Sequence, residues 1–117
     1  YLEPTVIEVS SNNCLLNQEE IFGPVVTLMP FKNATKVLEI ANDVKYGLSA
    51  TVWTNNLKRS MYFSEHLEAG IIWINTWMQR DLRTPFGGVK ASGIGREGGF
   101  EVLRFFTEAK NICINYE

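Results

Sequence analysis

The chain has 117 residues, 45% of them hydrophobic and 21% charged, with a formal charge of −2. That is about one domain of ordinary globular sequence, with no electrostatic footprint for nucleic acid or an anionic membrane. No apolar run approaches the length that spans a bilayer, and two cysteines make no disulfide framework, so a cytoplasmic setting is expected. The charge is uneven: residues 1–31 hold four acids and no base, whereas residues 80–104 hold five bases and three acids. The first residue is Tyr1 rather than methionine, and the chain is expected to be a piece of something longer.

Strand and helix signals alternate along the sequence. Pro4 to Val9 is β-branched and strand-like, and Ser10 to Asn13 end it. Val25 to Phe31 is a second apolar run, short enough for a buried strand. Ala34 to Asp43 sets Val37, Leu38, Ile40 and Ala41 at helical spacing behind Asn33, a natural N-cap. Tyr46-Gly47 stops that helix, and Leu48 to Thr54 reads as a third strand. Leu57 to Leu67 carries Leu57, Met61, Ser64 and Leu67 on one helical stripe, closed by Gly70. Ile71 to Asn75 is a fourth strand, a helix is expected around Phe100 to Phe106, and a last strand over Ala109 to Tyr116. Strands joined by helices of this length predict an α/β fold with a parallel sheet.

Two segments carry chemistry. In Thr84 to Glu97, five of fourteen positions are glycine or proline, which excludes a regular helix or central strand. The same stretch holds Phe86, Lys90, Arg96 and Glu97, and a chemically loaded loop is where binding and catalysis concentrate. Gly93 to Gly98 spells Gly-x-Gly-x-x-Gly, but a dinucleotide fingerprint must follow a strand directly, and Phe86 to Ser92 lacks strand character. The second segment is Glu19-Glu20-Ile21-Phe22-Gly23-Pro24. Pro24 pushes Gly23 out of helical geometry, so the two acids end a short helix or turn before the strand at Val25. A carboxylate beside an aromatic ring there suits a ribose diol and a flat heterocycle. A solvated acidic turn with Phe22 in the core is the alternative.

Five ordered motifs resemble the NAD(P)-dependent aldehyde dehydrogenases: Glu20 to Pro24, Asn42 to Gly47, Gly70 to Asn75, Thr84 to Glu97, and Phe106-Thr107-Glu108 with Lys110. The resemblance spans essentially the whole chain and places it in the C-terminal quarter of such an enzyme. It implies that residues 1–91 belong to the catalytic domain, 92–106 return toward the cofactor domain, and 107–117 form an oligomerisation arm. It implies that Glu20 holds the nicotinamide ribose of NAD, or alternatively NADP, and that Phe22 packs near the nicotinamide. Asn75 would end a catalytic-domain strand. Trp77, Met78, Arg80 and Phe86 would line the aldehyde tunnel, and Glu97 matches a family acid linked to proton relay and to ordering of the site. The strand at 109–116 would pair with another subunit, making the protein a homo-oligomer.

The departures are equally specific. The family's nucleophilic cysteine, in a Gly-Gln-x-Cys segment, and its general base, in a Glu-Leu-Gly-Gly segment, have no counterpart. Cys14 and Cys113 stand in other contexts, and Cys113 reads as a small hydrophobe in a strand. His66 reads as a helix-end residue, and no metal site is expected. The isolated chain is therefore expected to have no dehydrogenase turnover. A non-catalytic structural relative, or an assembly module acting through its last strand, is the alternative. Arg80-Asp81-Leu82-Arg83, just before the loop, resembles the 2-amino- and 2-hydroxymuconic semialdehyde dehydrogenase branch. An arginine in an apolar tunnel suits an anion. The substrate expectation is thus an aldehyde bearing a carboxylate, with Arg80 or Arg83 as the clamp. The competing expectation is that Asp81 or a neighbouring acid merely pairs the arginines.

Overall fold

The computed structural model describes all 117 residues. In chain order the elements are β1 (Thr5–Glu8), α1 (Leu15–Gln18), β2 (Val25–Leu28), α2 (Ala34–Asn42), β3 (Tyr46–Gly47), β4 (Ser49–Val52), α3 (Leu57–His66), β5 (Ile71–Ile74), β6 (Val89–Lys90) and α4 (Glu101–Phe106). They form three two-stranded sheets. β1 and β2 pair in parallel with Thr5 opposite Val25, and β4 and β5 pair in parallel with Ser49 opposite Ile71. β3 and β6 are antiparallel, with Tyr46 opposite Lys90.

The helices start where local chemistry dictates. Asn33 caps α2 by accepting the Lys36 backbone N–H at 2.9 Å, and Asn56 caps α3 by accepting that of Arg59 at 3.0 Å. Each such cap contributes about 1 kcal/mol. The end of α2 is held from a distance. The Asn12 side chain donates to the carbonyls of Ile40 and Asp43, and Gln18 also donates to Asp43. Asn42 joins the two helix ends, donating to the His66 carbonyl at 2.8 Å and accepting from the Glu68 N–H at 3.0 Å. His66 ends α3 with its ring stacked on Tyr62.

Little of this surface is closed by the chain itself. Val9, Leu38 and Trp73 are its buried hydrophobic residues, while Phe22, Trp53, Trp77 and Phe106 stand largely exposed. The radius of gyration is 19.4 Å, against about 13 Å for a compact chain of this length. No helix is long and apolar enough to cross a membrane.

Three sequence expectations are corrected. Residues 109–116 form no strand, because no neighbouring segment of this chain offers them a ladder. Phe86 to Ser92 does contain strand structure: Val89 and Lys90 pair with Gly47 and Tyr46. That ladder also makes Tyr46-Gly47 a short strand rather than a mere helix stop, and α2 ends earlier, at Asn42. Both pieces are two residues long and exist through tertiary pairing, which no local periodicity announces.

The glycine-rich loop is pinned onto this frame. A Cβ on Gly70 would fall 1.7 Å from the Gly87 carbonyl oxygen, so the loop crosses the entry to β5 in backbone contact. The Ala91 N–H donates to the Lys45 carbonyl, and the Gly47 N–H to the Ser92 hydroxyl. Lys90 adopts a left-handed backbone, φ 54°, while its ammonium donates to the carbonyls of Asn42 (2.6 Å) and Val44 (3.2 Å) and pairs with Glu68. Lys90→Met and Lys90→Gly delete the same ammonium, but only glycine relieves the left-handed backbone. The glycine variant is expected to be the more stable of the two by up to about 1 kcal/mol in chemical denaturation of the intact protein. A methionine variant of equal or greater stability would show that Lys90 is unstrained.

Candidate functional site

The loop places three of the nominated side chains together. Phe86 and Glu97 face each other across an isolated antiparallel bridge, with Phe86 N–H to Glu97 C=O at 2.7 Å and Glu97 N–H to Phe86 C=O at 2.8 Å. Gly98 and Gly99 follow with φ of 78° and 56°, and side chains there would strike the carbonyls of Thr84, Leu82 and Arg83. That turn delivers Glu97 beside Arg80, whose guanidinium donates to the carboxylate at 2.6 Å. The same guanidinium lies 3.7 Å from the centroid of the Phe86 ring. A cation over an aromatic face contributes roughly 0.5–1 kcal/mol where solvent reaches it, and orients the fork.

Arg83 behaves differently. It closes on Asp81 through Nε and Nη2, and its backbone N–H also donates to that carboxylate. The Arg83 hydrogen bonds, side chain first and backbone second, hold the Asp81 carboxyl below its ordinary range, and Asp81 raises Arg83 in return. Both arginines are therefore paired within the chain, Arg83 with its near neighbour and Arg80 with an acid seventeen residues on. The Arg83 side chain is 89% exposed and the Arg80 side chain 38%.

Trp77 and Met78 stand on the turn after β5, both exposed, and Met78 has a positive φ of 56°. Asn75 opens this turn, its amide exchanging two hydrogen bonds with the Thr54 backbone. Trp73 steadies the far side by donating from Nε1 to the Gln79 carbonyl at 2.9 Å. Trp73 and Lys90 are therefore anchors of the site; sequence reasoning gave Trp73 no role there and marked Lys90 only as one of the charged residues of the loop. Trp73 looks like any strand aromatic, and the anchoring of Lys90 to the α2 carbonyls depends on contacts more than forty residues away.

Glu20 and Phe22 lie in a separate segment, between α1 and β2. Glu19 is taken up by Lys45, whose ammonium meets both of its oxygens at 2.8 Å. The Glu19 hydrogen bond raises the Lys45 pKa. Glu20 has no side-chain hydrogen bond or ion pair in the chain, and Phe22 is 95% exposed. A free carboxylate next to an uncovered ring fits a ribose diol and a flat base.

A cavity of about 310 Å³ borders the loop, lined by Leu48, Phe86, Ile94, Glu97, Phe105 and Phe106 among others. A larger one, about 480 Å³, lies between α2, α3 and β4 and touches none of the nominated residues. Its walls are mostly apolar, as expected of a helix–sheet seam. No group of three or more His, Cys, Asp or Glu side chains is placed to hold a metal ion. The Gly93–Gly98 run precedes α4, but the strand before it is antiparallel to β3, and Gly95 lies against the Phe105 ring.

The aldehyde dehydrogenase family model matches residues 1–112. A 2-aminomuconic 6-semialdehyde dehydrogenase from Pseudomonas sp. is 50% identical over 117 residues, all of this chain and 24% of that protein. Among solved structures, HpcC from Thermus thermophilus superposes with a TM-score of 0.89 at 43% identity, covering 99% of this chain and 24% of that one. An aldehyde dehydrogenase from Mycobacterium tuberculosis, complexed with NAD+, gives a TM-score of 0.86 at 41% identity over 92% of this chain and 22% of that one. The chain thus spans about a quarter of the length of the relatives it matches. On the strength of motifs, fold and family match together, it belongs to the aldehyde dehydrogenase family.

Proposed function

We propose that this chain is the part of an NAD+-dependent aldehyde dehydrogenase that positions the cofactor, walls the aldehyde tunnel and docks a neighbouring subunit. Residues 1–91 would belong to the catalytic domain, 92–106 would return toward the cofactor domain, and 107–117 would be the oligomerisation arm. The aldehyde would carry a carboxylate, as 2-aminomuconic semialdehyde does. The observation that carries this reading is the Arg80 guanidinium stacked on Phe86, on the loop that would face the aldehyde. The 50% identity to a 2-aminomuconic 6-semialdehyde dehydrogenase supports the same substrate class.

In this reading NAD+ supplies the hydride acceptor, and the nucleophile and general base come from outside these 117 residues. Glu20 would accept the ribose hydroxyl protons, and Phe22 would pack beside the nicotinamide. Trp77, Met78 and Phe86 would form apolar wall and exclude water from the reacting carbonyl. Arg80 would bind the remote carboxylate of the substrate, fixing its aldehyde end at the depth where attack occurs. Arg80 is preferred to Arg83 because an aromatic platform sets its plane, whereas Asp81 already closes the fork of Arg83. Glu97 would order this wall.

The arm at 107–117 leaves its backbone unpaired and presents Ile112, Ile114 and Tyr116 at alternate positions, all exposed. Such an edge suits pairing with a strand of a second subunit.

Three outcomes are expected in the intact enzyme. Arg80→Ala should raise KM for an acidic semialdehyde by about 10- to 100-fold, the range of a lost charge-assisted contact, and barely alter a simple aliphatic aldehyde. Equal losses on both substrates would refute the clamp. Glu20→Gln should lower kcat/KM for NAD+ by about tenfold in initial-rate kinetics, and an unchanged value would remove Glu20 from the ribose. Deleting residues 109–117 should reduce the oligomer measured by light scattering, and an intact oligomer would dismiss the arm.

A further inference from the structure

The Arg80–Glu97 pair has an unusual construction. The Glu97 backbone is fixed by both hydrogen bonds of its bridge to Phe86, yet its carboxylate makes one contact, with the Arg80 guanidinium. That side chain is otherwise solvated, at 61% exposure. Arg80 in turn has the Phe86 ring on one face and a single hydrogen bond at one edge, to Glu97. A guanidinium offers five N–H donors, and its fork is matched in shape to a carboxylate. The chain has therefore already placed a carboxylate on the group that the proposed clamp would offer to substrate.

We infer that Glu97 is a specificity-determining residue that acts as an internal stand-in for the substrate's carboxylate. It holds Arg80 flat on Phe86 in the unliganded enzyme and is displaced, or electrostatically opposed, when an acidic aldehyde enters. This inference rests on the reading of Arg80 as the substrate clamp. Its physical content is a competition between two like groups for one cation. If both carboxylates engaged the fork at once they would stand within a few ångströms of each other. Two like charges that close repel even where solvent reaches them. Either route makes the Glu97 charge weaken the binding of acids while leaving neutral aldehydes untouched by this term. The gain is preorganisation: Arg80 is oriented before the substrate arrives, so less side-chain freedom is lost on binding. Displacement would also free the Glu97 carboxylate only when an acidic substrate is seated.

The pair can be tested without turnover, by calorimetric titration of the full-length enzyme with adipate, an unreactive six-carbon dicarboxylate. Glu97→Gln keeps an acceptor for the Arg80 N–H and removes the charge. It is expected to tighten adipate about tenfold. Glu97→Ala should tighten it less, because Arg80 then loses its orienting partner. Arg80→Ala should weaken adipate strongly, and adding Glu97→Gln to Arg80→Ala should change nothing further. Looser or unchanged adipate binding in Glu97→Gln, with Arg80→Ala still weakening it, would overturn the stand-in while leaving the clamp standing. Unchanged binding in Arg80→Ala would instead remove the clamp, and the competition with it.

Discussion

The Phe86–Glu97 bridge is the constraint on which the candidate site depends. Two backbone hydrogen bonds of 2.7 and 2.8 Å close a ten-residue excursion and set an aromatic ring opposite a carboxylate. Arg80 can meet both because the turn from Asn75 to Gln79 is itself held, by Asn75 against Thr54 and by Trp73 against Gln79. Within the loop, the Arg96 guanidinium bonds the carbonyls of Gly88 and Gly95, satisfying backbone that has no ladder. Backbone closure thus comes first, and the side-chain chemistry is mounted on it. That order suits the proposed substrate wall, where an error of an ångström in the proposed clamp would be felt in the rate.

The rest of the fold serves as a foundation for that loop. The C-terminal end of α2 is a junction at which Asn12, Gln18 and Lys90 converge on otherwise open carbonyls, while Asn42 reaches across to the His66 carbonyl at the end of α3. The last carbonyls of a helix need such donors, and here they come from two distant parts of the chain, residues 12–18 and Lys90. Lys90 is the link between junction and loop, which explains a left-handed backbone at a residue with a side chain. Gly70 and Gly87 do the complementary work by letting two backbones touch. The exposed hydrophobic faces of β1, β2, α4 and the last eleven residues agree with a chain that spans a quarter of its relatives' length.

Legibility in the sequence followed the range of the interactions involved. The N-cap at Asn33 and the apolar stripe of α2 act within a few residues, so the helix start is readable. The β-branched runs at Thr5–Glu8 and Ile71–Ile74 are readable for the same reason. The pairing of Val89-Lys90 with Tyr46-Gly47 is not, since each piece is too short to show a period and is stabilised by a partner over forty residues away. Ala109 to Tyr116 has the composition of a strand but no ladder in this chain. A strand is a property of two segments, and composition describes one.

The candidate site divides along the same line. Composition and motif order alone determined that an arginine-bearing, glycine-rich loop follows the last parallel strand, and that an acid and an aromatic sit before Pro24. They also determined the family, because those motifs are side-chain identities read directly. Only the tertiary structure decided which acid each arginine meets: Asp81 for Arg83, two residues away, and Glu97 for Arg80, across the loop. It likewise decided that Lys45 occupies Glu19 and leaves Glu20 free. A sequence specifies charges and spacings, whereas an ion pair needs a distance, and distances between remote residues exist only once the backbone has closed.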